Sequence, residues 1–166
     1  EILAAPLIEA ARARYPEIRI RVAEAMSGYI RDWLKRGDVD LAIIYSVANP
    51  RGLVAHHVLS EEISLFASRS VEGGSEPRGQ TVGLAEAASL PLIIPGREHG
   101  LRELIENAAG SIDVAVKPSI EIDSYSQIKK LAQRGLGYGI LPRMAVSREA
   151  ETGLFRIWAI EKPEIT

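Results

Sequence analysis

The first 45 residues alternate between two hydrophobic periods. ILAAPLIEAARARYP sets Ile2, Leu3, Leu7, Ile8 and Ala11 on one face, which is helical spacing. Tyr15-Pro16 ends that helix, because proline disfavours helical geometry in the residue before it. EIRIRVAE then alternates, with Ile18, Ile20 and Val22 one way and Arg19 and Arg21 the other, and predicts a half-buried strand. SGYIRDWLKRG predicts a helix with Ser27 as N-cap, Ile30, Trp33 and Leu34 on one face, and Gly37 as its stop. DVDLAIIY is a nearly continuous apolar run, as in a strand covered on both faces. Helix, strand, helix, strand is the α/β alternation of a parallel sheet.

The pattern continues. AHHVLSEEISLFASR predicts one or two strands, and VEGGSEPRGQ is a polar loop without periodicity that suits a lobe boundary. LAEAASL reads as a short helix and PLIIP as a buried strand. HGLRELIENAAG follows as a helix with Leu101, Leu104, Ile105 and Ala108 on one side. KPSIEID predicts a strand, SYSQIKKLAQRG a helix and YGIL a strand. PRMAVSREA predicts a helix with proline at its first position, and LFRIWAI a final strand.

LAQRGLGYGILP holds three alternating glycines. A phosphate-binding loop needs strand, then glycines, then helix, so that the helix N-terminus faces the anion. Here a helix comes first, so Gly135 is expected as a left-handed C-cap, with Gly137 and Gly139 permitting close approach of chain or ligand. The other end of the same helix suits an anion better. SYSQ fits a capping box from Ser124 to Gln127, and Ser124 either caps the helix alone or also holds a small anion with the next amides.

Composition narrows the classes. Among 166 residues there are 20 Lys and Arg against 22 Asp and Glu, a net charge of −2. A segment gripping the DNA backbone would carry a basic surplus, so DNA contact is not expected here. With no cysteine, disulfides, thiol catalysis and cysteine-type zinc sites are excluded. No secretory signal pattern opens the chain, and no apolar run approaches the roughly 18 residues that span a bilayer. The abrupt helical start suggests a piece of something longer.

The quoted runs, taken in order, resemble the effector-binding domain of LysR-type transcriptional regulators. The residues that carry the likeness are Tyr15-Pro16, Glu24 with Ser27, Leu34 with Gly37 and Asp40, and Gly135, Gly137, Leu141 and Pro142. Order and spacing hold from residue 2 to about 163. The resemblance implies an α/β architecture of two Rossmann-like lobes, the type II periplasmic-binding-protein fold, with an effector cleft between them. Lobe I would comprise residues 1–68 with 150–166 returning to it, and lobe II residues 69–149. Ser27 matches a family serine or threonine that reaches the effector, Ser68 lies near the crossover, and PGREHG would open onto the cleft. The DNA-binding domain, the first strand of the effector domain and the loop after it are expected to lie outside this chain.

The candidate effector contacts are therefore Ser27, Ser68, Arg97, His99, Ser124 and Tyr125, with Arg97 as a planar carboxylate clamp. His99 lacks a nucleophile or partner motif, which argues against a catalytic role. His56 and His57 would point to opposite faces of a strand and cannot chelate a metal together. No cofactor or metal is expected. The reading is a cytoplasmic regulator's sensor that takes a small anionic effector, self-associates as a dimer or tetramer partly through VAHHV, and touches no membrane. The alternatives are an extracytoplasmic solute-binding protein and a prephenate dehydratase-like enzyme. The enzyme would need a threonine-bearing motif, and threonine stands only at 81, 152 and 166.

Overall fold

A computed structural model describes residues 3–25, 27–45, 52–69, 71, 76–161, 163 and 165, leaving aside the side chain of Ser27. Helices α1 (Ala4–Arg14) and α2 (Ser27–Arg36) precede strand β1 (Ile63–Ala67). Then come β2 (Thr81–Gly83), α3 (Leu84–Ser89), β3 (Leu92–Ile94), α4 (Gly100–Gly110) and β4 (Ile120–Glu121). The chain closes with α5 (Tyr125–Gln133), β5 (Tyr138–Pro142), α6 (Arg143–Glu151) and β6 (Arg156–Glu161).

The strands form one mixed sheet in the order β2-β6-β1-β5-β3-β4. β1 sits in its middle, antiparallel to both β5 and β6. All five residues of β1 and all five of β5 are buried, as covered central strands must be. Helix α5 packs over β1, β3 and β5, α6 over β1 and β5, and α3 over β2 and β6. On the other half of the sheet, β3 runs parallel to β4 and β5. Each of β3 and β4 therefore leads through a short loop into a helix, and α4 and α5 begin side by side.

Helix α5 stops as its sequence requires. Gly135 has φ +78°, its N–H donates to Ala132, and the Leu136 N–H reaches back to Leu131. That is a Schellman ending, which needs a left-handed residue and so favours glycine. The same pair of bonds ends α2 at Gly37 and Asp38.

Three sequence expectations are corrected. Residues 17–24 and 38–45 join no strand ladder, and several of their apolar side chains stay open: Val22 is 59% exposed and Leu41 79%. Alternation fits a sheet face, but a strand forms only where a neighbouring chain takes its backbone groups and a layer covers its apolar side. Neither occurs for these segments among the described residues. Residues 54–60 likewise stay outside the sheet, with His57 Nε2 3.0 Å from Ser60 Oγ. Finally, Pro142 is the N-cap of α6 rather than its first helical residue, because it still pairs with Ile63 at the end of β5. The short strand β2 was not foreseen; three residues give too little pattern to read.

Candidate functional site

The loops that follow β3 and β4 are tied together. Ile122 N–H donates to the Ile94 carbonyl at 3.1 Å, which continues the parallel ladder past β4. Gly96 N–H then donates to Asp123 Oδ1 at 2.9 Å. A crevice beyond the carboxyl ends of adjacent parallel strands is where α/β sheets bind ligands, because helix N-termini with unpaired N–H groups converge there.

Two foreseen residues cap these helices. His99 is the N-cap of α4, its Nδ1 accepting from the Leu101 N–H at 3.2 Å. Ser124 is the N-cap of α5, its Oγ accepting from the Gln127 N–H at 3.4 Å and lying 3.1 Å from Ser126 Oγ. Tyr125 stands between them. Its ring meets the His99 ring at a centroid distance of 5.4 Å and a tilt of 34°. His99, Ser124 and Tyr125 are thus brought together. Arg97 is not aimed at them: its side chain is 78% exposed and its Nε lies 3.7 Å from Glu106 of α4. Ser68 is half-buried just after β1, and Ser27 is the first residue of α2, with its side chain outside the described residues.

The structure adds residues that sequence reasoning missed. From the first part of the chain, Tyr29 lies near the Glu98 carboxylate, whose acceptor oxygens and charge push its phenol up. Tyr45 donates to Glu61 Oε2 at 3.3 Å. Burial pushes the Tyr45 phenol up to about 12, so it stays protonated. Arg102 is buried beneath α4. Tyr29 was the most legible of these, since it sits two residues from Ser27. Tyr45 meets Glu61, and Arg102 meets Glu121, across 16 and 19 residues of sequence that carry no local signal.

Burial holds His99 below its usual 6.5, and the nearby Asp123 charge only partly opposes that. At neutral pH the ring is therefore uncharged. It accepts through Nδ1 and carries its proton on Nε2. Because the folded-state value is depressed, the cap is fully present above pH 6.5 and is lost as pH falls through the folded-state value. A His99→Asn variant keeps a capping oxygen that does not titrate. Its melting temperature should therefore drop less than the parent's between pH 7.5 and pH 5.5; equal drops in the two proteins would show that the cap does not titrate as described.

The site offers two helix starts, a serine hydroxyl, a neutral imidazole and the three phenols of Tyr29, Tyr45 and Tyr125. Glu98, Asp123 and Glu61 lie around it, and among the described residues no arginine or lysine pairs with them. No group of three or more histidine, aspartate or glutamate side chains suits a metal ion among the described residues. This is hydrogen-bonding chemistry, suited to holding a small polar molecule.

Comparison with known proteins identifies the family and the fold. The family model of the LysR substrate binding domain matches residues 1–166. The regulator BbuR of Bordetella bronchiseptica is 24% identical over 155 residues, which is 92% of this chain and 46% of that protein. The nitrogen assimilation regulatory protein nac of Klebsiella aerogenes is 26% identical over 140 residues, or 84% of this chain and 44% of that protein. The chain thus spans a little under half the length of these relatives. Among solved structures, the effector binding domain of QuiR in complex with shikimate superposes with a TM-score of 0.80 at 18% identity, covering 95% of this chain and 74% of that one. The CcmR regulatory domain of Synechocystis PCC6803 in complex with 2-PG gives 0.76 at 17% identity, covering 96% and 76%. The mixed α/β chain shares the type II periplasmic-binding-protein-like fold of these domains.

Proposed function

The chain belongs to the family of LysR substrate binding domains, and from that premise we propose that it is the effector-sensing part of a transcription regulator, not an enzyme. The observation that carries this reading is the pairing of the α4 and α5 starts at the ends of adjacent parallel strands, bridged by Gly96 and Asp123. The effector is a small molecule with an anionic group seated at those amides, where the helix dipoles favour negative charge. Glu98 and Asp123 at the rim suit additional hydroxyl or amino donors on it. The QuiR complex with shikimate and the CcmR complex with 2-PG support a small-molecule ligand.

The sheet from β1 to β6 forms one lobe, since β1 and β6 are paired between β2 and β5, and the described residues before β1 belong to the other. Ser27, by its match to a family serine or threonine, and Ser68, near the crossover, are further effector contacts in this reading. The effector prefers one lobe arrangement, and its differential affinity shifts the geometry of a dimer or tetramer. Val54 and Val58, 86% and 70% exposed, belong to the self-association surface. DNA is bound by a segment outside these 166 residues, in keeping with BbuR, which is named an HTH-type transcriptional regulator and of which this chain covers 46%. The regulator works in the cytoplasm. Among the described residues no helix is long and apolar enough to cross a membrane.

A thermal-shift screen against hydroxy acids, amino acids and inorganic anions tests the reading. A ligand at 100 times its Kd adds about 2.7 kcal/mol, which a melting curve resolves. Ser124→Ala loses about 1 kcal/mol of capping even without ligand, so the quantity to compare is the ligand-induced shift. That shift should shrink in Ser124→Ala; an unchanged shift would place the ligand elsewhere.

A further inference from the structure

Arg102 occupies an unfavourable position. It is the third residue of α4, where the positive end of the helix dipole repels a cation, and its side chain is only 1% exposed. Burying a guanidinium costs several kcal/mol unless its donors are matched. Here they are matched on three elements at once. Nη1 donates to the Pro95 carbonyl at 3.0 Å, just past β3, and to Glu121 Oε1 at 2.9 Å, on β4. Nε and Nη2 hold Glu106 Oε1 at 3.0 and 2.9 Å, one turn further along α4.

Those three elements carry the two helix starts. Pro95 opens the loop to His99, and Glu121 stands two residues before Asp123. The planar fork of arginine reaches all three partners from one side chain, whereas a lysine ammonium is a single point donor group. Gly96 presses against Asp123 next to this clamp, and a Cβ there would stand 3.2 Å from Asp123 Oδ1. We propose that Arg102 is a positioning residue that fixes the spacing between the His99 and Ser124 helix starts. Its importance for effector binding rests on the reading of those starts as the effector site. The clamp itself is a property of the unliganded chain.

The test uses the full chain and three variants: Arg102→Lys, Glu121→Gln, and Arg102→Met combined with Glu121→Gln. The readouts are amide hydrogen exchange and the titration midpoint of His99 by NMR. In Arg102→Lys, exchange at Gly96, Leu101 and Gln127 should accelerate about tenfold or more through local opening. The amides of Leu65 and Trp158 in the central strands should change little, and the His99 midpoint should rise toward 6.5 as its ring becomes solvated. Glu121→Gln keeps an oxygen for Nη1 and should retain most of the protection. If Arg102→Lys does not fold, the Met and Gln pair, which removes the charge on both sides, should give the same local pattern. Uniform acceleration across the sheet would make Arg102 a general stabiliser and overturn the proposal, as would unchanged protection with an unchanged His99 midpoint. Neither readout needs a ligand, so failure of the clamp is distinguishable from failure of the effector screen.

Discussion

A Gly137→Ala variant is expected to lose about 3 kcal/mol of stability or more, combining overpacking with backbone strain. The added Cβ would lie 2.3 Å from the Pro91 carbonyl oxygen and 3.1 Å from Ile93 Cγ1. The first of these is backbone and cannot swing aside. It is also a bonded acceptor, taking the Tyr138 N–H at 2.9 Å. At φ +155° the residue occupies a conformation that side chains rarely adopt. Relief would have to come from moving the start of β5 off β3, and β3 carries the loop to His99. Equilibrium denaturation with urea measures the loss as a lowered midpoint. A change below about 1 kcal/mol would mean that β5 shifts freely at this point, contrary to its full burial.

The second large effect lies one strand away in the same sheet, where Phe66 and Gly139 share a space. Phe66 is fully buried on β1 and its ring centroid stands 4.9 Å from that of Phe155. Phe66→Ala should cost about 3–5 kcal/mol through lost burial and a residual cavity. Gly139 faces Phe66 directly across the antiparallel pair, and a Cβ on Gly139 would lie 2.2 Å from Phe66 Cζ. Glycine is therefore present so that the ring can lie over the β5 backbone. The two positions must be coupled. Gly139→Ala should cost about 1–3 kcal/mol or more in the parent, and clearly less once Phe66 is alanine. A double-mutant cycle by chemical denaturation reads the difference. Strict additivity would show that the ring and the Cβ never compete.

These two glycines also show how much the sequence revealed. Three alternating glycines after a helix were legible as a stop followed by close approach, because the order of elements excluded a phosphate loop. Gly135 is that stop, and the crowding at Gly137 and Gly139 is that approach. What they approach, the Pro91 carbonyl and the Phe66 ring, lay far away in sequence and carried no local mark. The helices from α3 to α6 were legible because each has a one-sided apolar pattern or a capping residue. The strands proposed at 17–24 and 38–45 show the converse. Ile18, Ile20 and Val22 alternate as a strand would, yet pairing depends on a neighbour that a local pattern does not supply. At the site, Ser124 and Tyr125 followed from the capping signature, and His99 from the loop after a buried strand. Arg97 and Arg102 were separable only by geometry: both flank His99 in sequence, but one faces solvent and the other is sealed beneath the helix.

The central claim is that the α4 and α5 starts receive the effector. The most direct measurement is amide NMR of the chain titrated with the best ligand from the thermal screen. The account predicts saturable shifts concentrated at Gly96, Gly100, Leu101 and the amides of residues 124–127, together with the His99 ring. Shifts that leave these amides untouched and gather elsewhere on the sheet would contradict it.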